Sequence, residues 1–433
     1  MLDQTFTLKN LLAVRKKIDG SKFGQTPRAA KSRLEKLANS LANGTFAPAQ
    51  FGRRTIKSYS VYSTSSYENT IVLRKLNDNL RRLYKLHQSD RTRIVKQVAL
   101  LLAESCPKSV LRLDIKSFYD AVNRQQLLRR IGDDSLLSPK SKSLLLQFLS
   151  GAFPGLGEGL PRGVNLSASL AEFALRDFDQ SVKALPGVYF YARYVDDIIV
   201  FTIHDPIAIK QSIESILPHG LELNEKKTTL FTINGCRCED GCVCGSSCRC
   251  ISTCRCKETD GIPAEFDFLG YKFKFSSIAG KEKRRAEIFI SMADKKVAKT
   301  KTRIVRSLLD YARNRDFVLL RDRLRFLTAN HSLTTSNVDQ KVKSGVYYSY
   351  RLLTLIEDSS GRLIPPIIRE LDHFLRAALF ASNNAFGRKL SAALSPTQKQ
   401  SLQMISFTSG FISKRLARIP APRIKQLKEC WDE

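Results

Sequence analysis

Residues 188–203, VYFYARYVDDIIVFTI, constrain this chain more than any other stretch. Two runs of aromatic and β-branched residues meet at Val-Asp-Asp, the pattern of a β-hairpin with acids at its turn. An isolated Asp-Asp pair is most often an ordinary exposed turn, so its company decides its meaning. A second β-type run, Val110 to Leu113, ends on Asp114 and is followed by a helical pattern. Nucleotidyl transfer needs two divalent cations about 3.5–4 Å apart. Magnesium takes a few carboxylates together with substrate phosphates. Asp114, Asp196 and Asp197 meet that need if their strands are neighbours. Consecutive strand residues face opposite ways, which favours Asp196 as ligand and leaves Asp197 to reach a metal through the turn.

The bulk properties bound the rest. A chain of 433 residues, 43% hydrophobic, is long enough for one large or two to three smaller folding units. Its 71 Lys+Arg against 41 Asp+Glu give a net charge of +30, which points to a polyanionic partner, nucleic acid above all. No stretch approaches the roughly 18–20 apolar residues of a membrane helix, and the first twenty residues lack an apolar signal core. The expectation is a cytoplasmic protein without a membrane partner.

Residues 1–60 are basic and mostly helical in pattern, and 56–70 read as strand, loop or both. Leu73, Leu76, Leu80 and Leu83 recur at helical spacing, with Arg74, Lys75, Arg81, Arg82 and Lys85 between them. So many cations on one segment lean toward phosphate contact. Helices are expected over 139–150 (opened by Ser138-Pro139), from about Ser167 to Val182, and near 206–216. Strands are expected near 227–232 and within FDFLGYKFKF, residues 266–275. From Ala293 onward the chain is helical and basic. Lys295, Lys299, Arg303, Arg306 and Arg313 form one helical stripe beside an apolar stripe of Ile304, Leu308 and Tyr311, a helix suited to a duplex backbone.

Five segments in this order, LRLDIKSFYDAV, GLPRGVNLSASLAE, YARYVDDIIVF, LELNEKKT and FDFLGYKF, resemble the palm motifs of reverse transcriptases. Their wording, with SGVYYSYRLL at 344–353, is most similar to bacterial enzymes of the defence-associated and abortive-infection group, relatives of retron and group II intron enzymes. The resemblance implies an α+β right-hand polymerase. Fingers with N-terminal basic helices would span 1–108, a palm with an antiparallel sheet 109–275, and a helical basic thumb with the C-terminal region 276–433. It implies RNA-directed DNA synthesis with two Mg²⁺ ions held by Asp114, Asp196, Asp197 and the carbonyl of Ile115. Tyr119 matches the ring that blocks a ribose 2′-OH, with Phe118 as the alternative gate. Pro161, Arg162 and Gly163 match the loop against the incoming nucleotide, although the family often has Gln where this chain has Arg162. Lys227 matches the lysine that protonates the leaving pyrophosphate, and Leu269-Gly270-Tyr271 matches the primer-grip turn. Arg81, Arg82, Lys299, Arg303 and Arg306 are candidate contacts to the nucleic-acid backbone.

Eight of the ten cysteines (Cys236, Cys238, Cys242, Cys244, Cys248, Cys250, Cys254 and Cys256) form four C-x-C pairs at a six-residue period within 236–256. Eight thiolates fit two Cys₄ zinc sites. A flexible thiol-rich loop and disulfides are the alternatives, and the insert is foreign to the general family pattern. The partners expected are an RNA template (a non-coding RNA in the defence setting), dNTPs and a DNA product, with a second polymerase subunit or a homo-oligomer left open. Two competing readings remain: a template-independent or protein-primed DNA polymerase, and a non-catalytic, maturase-like RNA-binding protein.

Overall fold

A computed structural model describes residues 2–56, 58–104, 106–233, 265–275, 288–334, 341–380 and 385–431. The cysteine-rich insert lies outside the described residues. The chain divides into two compact units. The described part of the first lies within Met1–Asp90 and Cys106–Gly235, and that of the second within Arg91–Ser105 and Pro263–Glu433.

In the first unit, β1 (Gly52–Ile56) and β2 (Tyr59–Ser63) pair as an antiparallel hairpin. The main sheet holds β3 (Lys108–Asp114), β4 (Val188–Tyr194), β5 (Asp197–Thr202) and β6 (Thr229–Ile233) in the order β4-β5-β3-β6, every pair antiparallel. The two-residue alternation of a strand puts Leu111 and Leu113 on one face and Arg112 and Asp114 on the other. Leu111, Leu113, Ile198 and Val200 enter the core with Ile71, Leu76, Phe148, Leu170 and Phe178 from the helices. Each such side chain contributes about 1.5–3 kcal/mol on burial.

The helices start where the sequence provides an N-cap. Ser66 accepts from the Asn69 amide ahead of Tyr67–Leu83, Ser138 from Ser141 ahead of Pro139–Gly151, and Asp205 from Ala208 ahead of Pro206–Ile216. Proline opens the last two, at a position where its missing N–H costs nothing. The helix expected from Ser167 to Val182 is two helices, Asn165–Ala174 and Arg176–Lys183. Leu175 leaves helical geometry at φ −92° and ψ 1°, which redirects the chain while Leu175, Phe178 and Val182 all stay buried.

Two cations of helix Tyr67–Leu83 turn inward rather than toward solvent. Arg74 forks onto Asp19 at 2.6 and 2.9 Å, and the buried Lys75 donates to the Asp3 carbonyl at 3.0 Å. Arg81 and Arg82 are exposed, as a phosphate contact requires.

The second unit contains an antiparallel sheet of β7 (Glu265–Phe268), β8 (Tyr271–Phe275) and β9 (Ile288–Met292), followed by the 21-residue helix Asp294–Asn314. Ile304, Leu308 and Tyr311 are its buried stripe, as expected. The cationic stripe is not uniform. Lys295, Lys299 and Arg313 are exposed, whereas Arg303 and Arg306 are half-buried. The Arg303 guanidinium lies 5.2 Å from the Trp431 ring centroid, and Arg306 donates to the Trp431 carbonyl at 3.0 Å. The Trp431 indole donates in turn to the Arg303 carbonyl and the Ser307 hydroxyl, at 3.1 and 2.9 Å. An aromatic body with one donor is most stable where both are satisfied, and this seat engages the two arginines. Among the described residues no helix is long and apolar enough to cross a membrane.

Candidate active site

The three acids meet at one end of the main sheet. In the β3–β5 register Leu113 pairs with Ile198 and Asp114 with Asp197, and directly opposed residues share a face. Asp197, which alternation alone ranked second, is therefore the acid across from Asp114. Asp196 lies in the two-residue loop of the β4–β5 hairpin, between the paired Tyr194 and Asp197. The other loop residue, Val195, has φ +62°. Tight hairpins with positive φ at the first loop position normally put glycine there. A β-branched residue held in that region costs about 1–3 kcal/mol and persists only where its surroundings over-determine it.

The surroundings are specific. The Ile115 amide donates to the Asp196 carbonyl at 3.0 Å, tying the turn to the end of β3. Arg193, only 5% exposed, donates to the Val195 carbonyl at 3.0 Å. The same guanidinium forks onto Asp179 at 2.8 and 2.7 Å and onto Glu172 at 3.2 and 2.8 Å. Burial works against the Arg193 charge, but the bonds and charges of Asp179 and Glu172 outweigh it and hold its pKa above the ordinary value. Tyr191 also donates to Asp179, at 2.6 Å.

Asp114 is 4% exposed, and its carboxylate is held by the Lys227 ammonium at 2.8 Å to each oxygen and by the Asn224 side-chain amide at 3.2 Å. Lys227 comes from the short turn Glu225–Lys227, anchored by the Asn224 amide donating to the Asp114 carbonyl at 2.8 Å. Its pKa is raised, chiefly by the hydrogen bond to Asp114. Arg112 lies on the same face. It donates to the Lys227 carbonyl at 3.2 Å and stands 3.7 Å from the Asp197 carboxylate.

Burial raises the pKa of Asp196, aided by the charge of Asp114. Burial, then the charges of Asp196 and Asp114, push Asp197 up to about 6. Anionic oxygens crowded at a partly desolvated sheet end suit a hard divalent cation, which relieves that repulsion. Among the described residues no three acid, His or Cys side chains form a ready-made cage. Such a donor set fits magnesium that arrives with phosphate oxygens as further ligands.

Beside this cluster lies a cavity of about 380 Å³, lined by Tyr59, Tyr119, Pro161, Arg162 and Gly163 among others. The Pro161–Gly163 loop is fixed against β2: the Tyr62 amide donates to the Arg162 carbonyl at 2.8 Å. Gly163 has φ +90°, and a Cβ there would stand 2.6 Å from the Tyr62 carbonyl oxygen, so only glycine permits this approach. Arg162 pairs with Asp120 at 2.7 Å and lies 4.2 Å from the Tyr59 ring centroid and 5.4 Å from that of Tyr119. Burial raises the Tyr119 pKa. Phe118 does not line this cavity. It is buried in the core, which leaves Tyr119 as the ring of the pair that faces it.

In the second unit Leu269 and Gly270 are the loop of the β7–β8 hairpin, between the paired Phe268 and Tyr271, with φ +49° and +77°. Ile115 is buried directly after Asp114.

The pattern of the family described as reverse transcriptase (RNA-dependent DNA polymerase) matches residues 28–273, more than half of the chain. The chain belongs to this family. Curated protein sequences yield no match. Among solved structures, the apo telomerase of Candida tropicalis truncated from its C-terminal domain is similar at 14% identity, over 56% of this chain and 59% of its own, with a TM-score of 0.35. The telomerase of Candida albicans, in complex with a TWJ fragment of telomeric RNA, is similar at 13% identity, over 83% and 53%, with a TM-score of 0.31. The chain spans little more than half the length of either telomerase. The fold is α+β, and the sheets described above are antiparallel.

Sequence reasoning missed Arg193, Asp179 and Glu172, which hold the strained turn, and Tyr59 and Asp120, which hold Arg162. Glu172 ends the SASLAE motif and Arg193 sits inside YARYVDD, so motif membership was the available signal.

Proposed function

We propose that this protein is an RNA-directed DNA polymerase whose catalytic acids are Asp114, Asp196 and Asp197. The observation that carries the reading is the register of β3 on β5, with Asp114 opposite Asp197, Asp196 in the adjoining turn and the Lys227 ammonium on Asp114. Two Mg²⁺ ions, held by these acids with the Ile115 carbonyl, would neutralise charge on the attacking and leaving oxygens. The protein's own part is placement. Arg193 fixes the turn that carries Asp196. Arg112 and Asn224 set Lys227 beside Asp114, and Lys227 gives its proton to the leaving pyrophosphate. Pro161, Arg162 and Gly163 bound the nucleotide cavity, and the Leu269-Gly270-Tyr271 turn grips the primer. Residues 1–108, 109–275 and 276–433 serve as fingers, palm and thumb.

The motif wording supports a bacterial enzyme of antiviral defence that copies a dedicated non-coding RNA. The zinc reading of Cys236 to Cys256 rests on their spacing alone. The test is extension of DNA by the purified protein with its co-purified nucleic acid, dNTPs and Mg²⁺. Loss of activity on RNase treatment supports an RNA template. Activity that survives RNase points to template-independent synthesis, and no synthesis at all overturns the polymerase reading.

Two further outcomes are expected. Tyr119 is the ring that faces the nucleotide cavity, so Tyr119→Ala removes the bulk that excludes a 2′-hydroxyl. Discrimination against ribonucleotides should fall by about 10- to 100-fold, on the scale of steric selection by a pocket wall. Single-nucleotide incorporation with paired dNTP and rNTP reads this directly, and unaltered discrimination removes Tyr119 as the gate. Lys295, Lys299 and Arg313 are the exposed members of the basic stripe. Their triple replacement by Gln should weaken RNA binding and lower the magnitude of the salt slope by about 0.7–0.9 per lost phosphate contact. The same measurement on Arg303→Gln and Arg306→Gln should show a smaller change, because those side chains engage Trp431.

A further inference from the structure

We propose that Arg91 is the positioning residue of the Leu269-Gly270-Tyr271 turn, and through that turn aligns the 3′ end of the primer. The inference rests on the reading of the turn as a primer grip.

Arg91 opens the helix Arg91–Leu102. A cation in the first helical turn opposes the helix dipole, so helix stability does not account for it. Its contacts lie far along the chain. Nε donates to the Leu269 carbonyl at 2.8 Å, and Nη1 donates to the Ser349 carbonyl at 2.8 Å. The guanidinium plane lies 4.7 Å from the Tyr271 ring centroid and 5.8 Å from that of Tyr350. Those rings meet edge-on at 5.7 Å, and the Tyr271 hydroxyl donates to the same Ser349 carbonyl at 3.1 Å. One planar fork thus ties the start of its own helix to two distant stretches of the second unit, the grip turn with the start of β8 and the segment containing Ser349 and Tyr350.

The turn needs such a tie. Leu269 sits in the left-handed region at φ +49°, where residues other than glycine are uncommon. Such a conformation persists when neighbours over-determine it. Gly270 leaves no slack either: a Cβ there would stand 3.2 Å from the Lys296 side chain and 3.3 Å from the Arg91 guanidinium. Lysine cannot replace the arginine, because an ammonium is a point charge that lacks the planar fork and the stacking face.

The experiment compares wild type, Arg91→Lys and Arg91→Met in primer extension on a defined RNA template. Wild-type extension is the control on the polymerase reading, and its failure would sink that reading rather than this inference. A misplacement of about 1 Å at a reacting end can cost roughly 100-fold. The expected result is therefore a 10- to 100-fold fall in kcat and shorter products in both variants. The KM for dNTP should stay within about twofold, since the nucleotide cavity is formed in the first unit, and the melting temperature should be little changed in Arg91→Lys. Wild-type kcat and product length in Arg91→Met overturn the proposal. So does a loss in which the dNTP KM and the melting temperature move together with kcat, because that pattern marks general unfolding. Rescue by Arg91→Lys also overturns it, since charge alone would then suffice.

Discussion

Asp114→Asn is expected to lower DNA synthesis by about 10³-fold or more, and Asp196→Ala to do the same. A metal-bound transition state gains several kcal/mol from its ligands, and each 1.36 kcal/mol is a factor of ten in rate. The substitution of Asp114 removes one carboxylate charge while keeping its shape, so the β3–β5 pairing survives. It also removes the anion that holds the Lys227 ammonium at 2.8 Å, so two functional groups lose their setting in one change. RNA binding should remain near wild type, because a net charge of +30 is spread over the chain and not concentrated at these acids. Steady-state extension and a filter-binding titration on the same preparations separate the two effects. Extension near the wild-type rate by either variant would remove that acid from the catalytic set.

Arg193→Met is expected to have the largest effect on stability. The wild-type guanidinium is almost fully buried and satisfies two carboxylates and one strained carbonyl. Removing one side of a buried ion pair typically costs about 3–5 kcal/mol, because the remaining charges are left without a partner. Chemical denaturation should show the loss as a lower midpoint. Adding Glu172→Gln and Asp179→Asn to Arg193→Met should recover a large share of it, since unpaired charge is most of the cost. Activity should not recover with stability. The triple variant still lacks the donor that holds the Val195 carbonyl, and the turn carrying Asp196 would relax. An unfolding free energy within about 1 kcal/mol of wild type for Arg193→Met would show that the turn is held by its backbone alone.

Much of this protein was legible in its sequence for local reasons. The aromatic and β-branched alternation of residues 188–203 specifies a hairpin, because the side-chain period of a strand is two. Ser138-Pro139 and Asp205-Pro206 announce helix starts, because a capping oxygen and a proline fit only that end of a helix. Asp114 at a strand end and Asp196-Asp197 at a turn follow from the same local patterns, and the ordered motifs carried the family. What stayed hidden involves charged side chains and distant partners. Arg74 and Lys75 belong to the run of cations that leans toward phosphate contact in sequence, yet Asp19 and the Asp3 carbonyl draw them inward. Arg303 and Arg306 continue a cationic stripe in sequence, yet Trp431, more than a hundred residues away, occupies them.

Sequence alone therefore determined most of the elements and put the acids at a strand end and a turn, since each depends on residues within a few positions of one another, and the ordered motifs carried the family. Tertiary structure decided the rest. Whether Asp196 or Asp197 faces Asp114 is a matter of strand register, which hydrogen bonds between separate strands set. Whether an arginine meets phosphate, a carboxylate or a tyrosine ring depends on what packing brings to its fork and its face. Arg193 under the Val195-Asp196 turn and Arg91 under the Leu269-Gly270 turn are placed in this way. No pattern along the chain encodes either, because their partners come together only when the chain is folded.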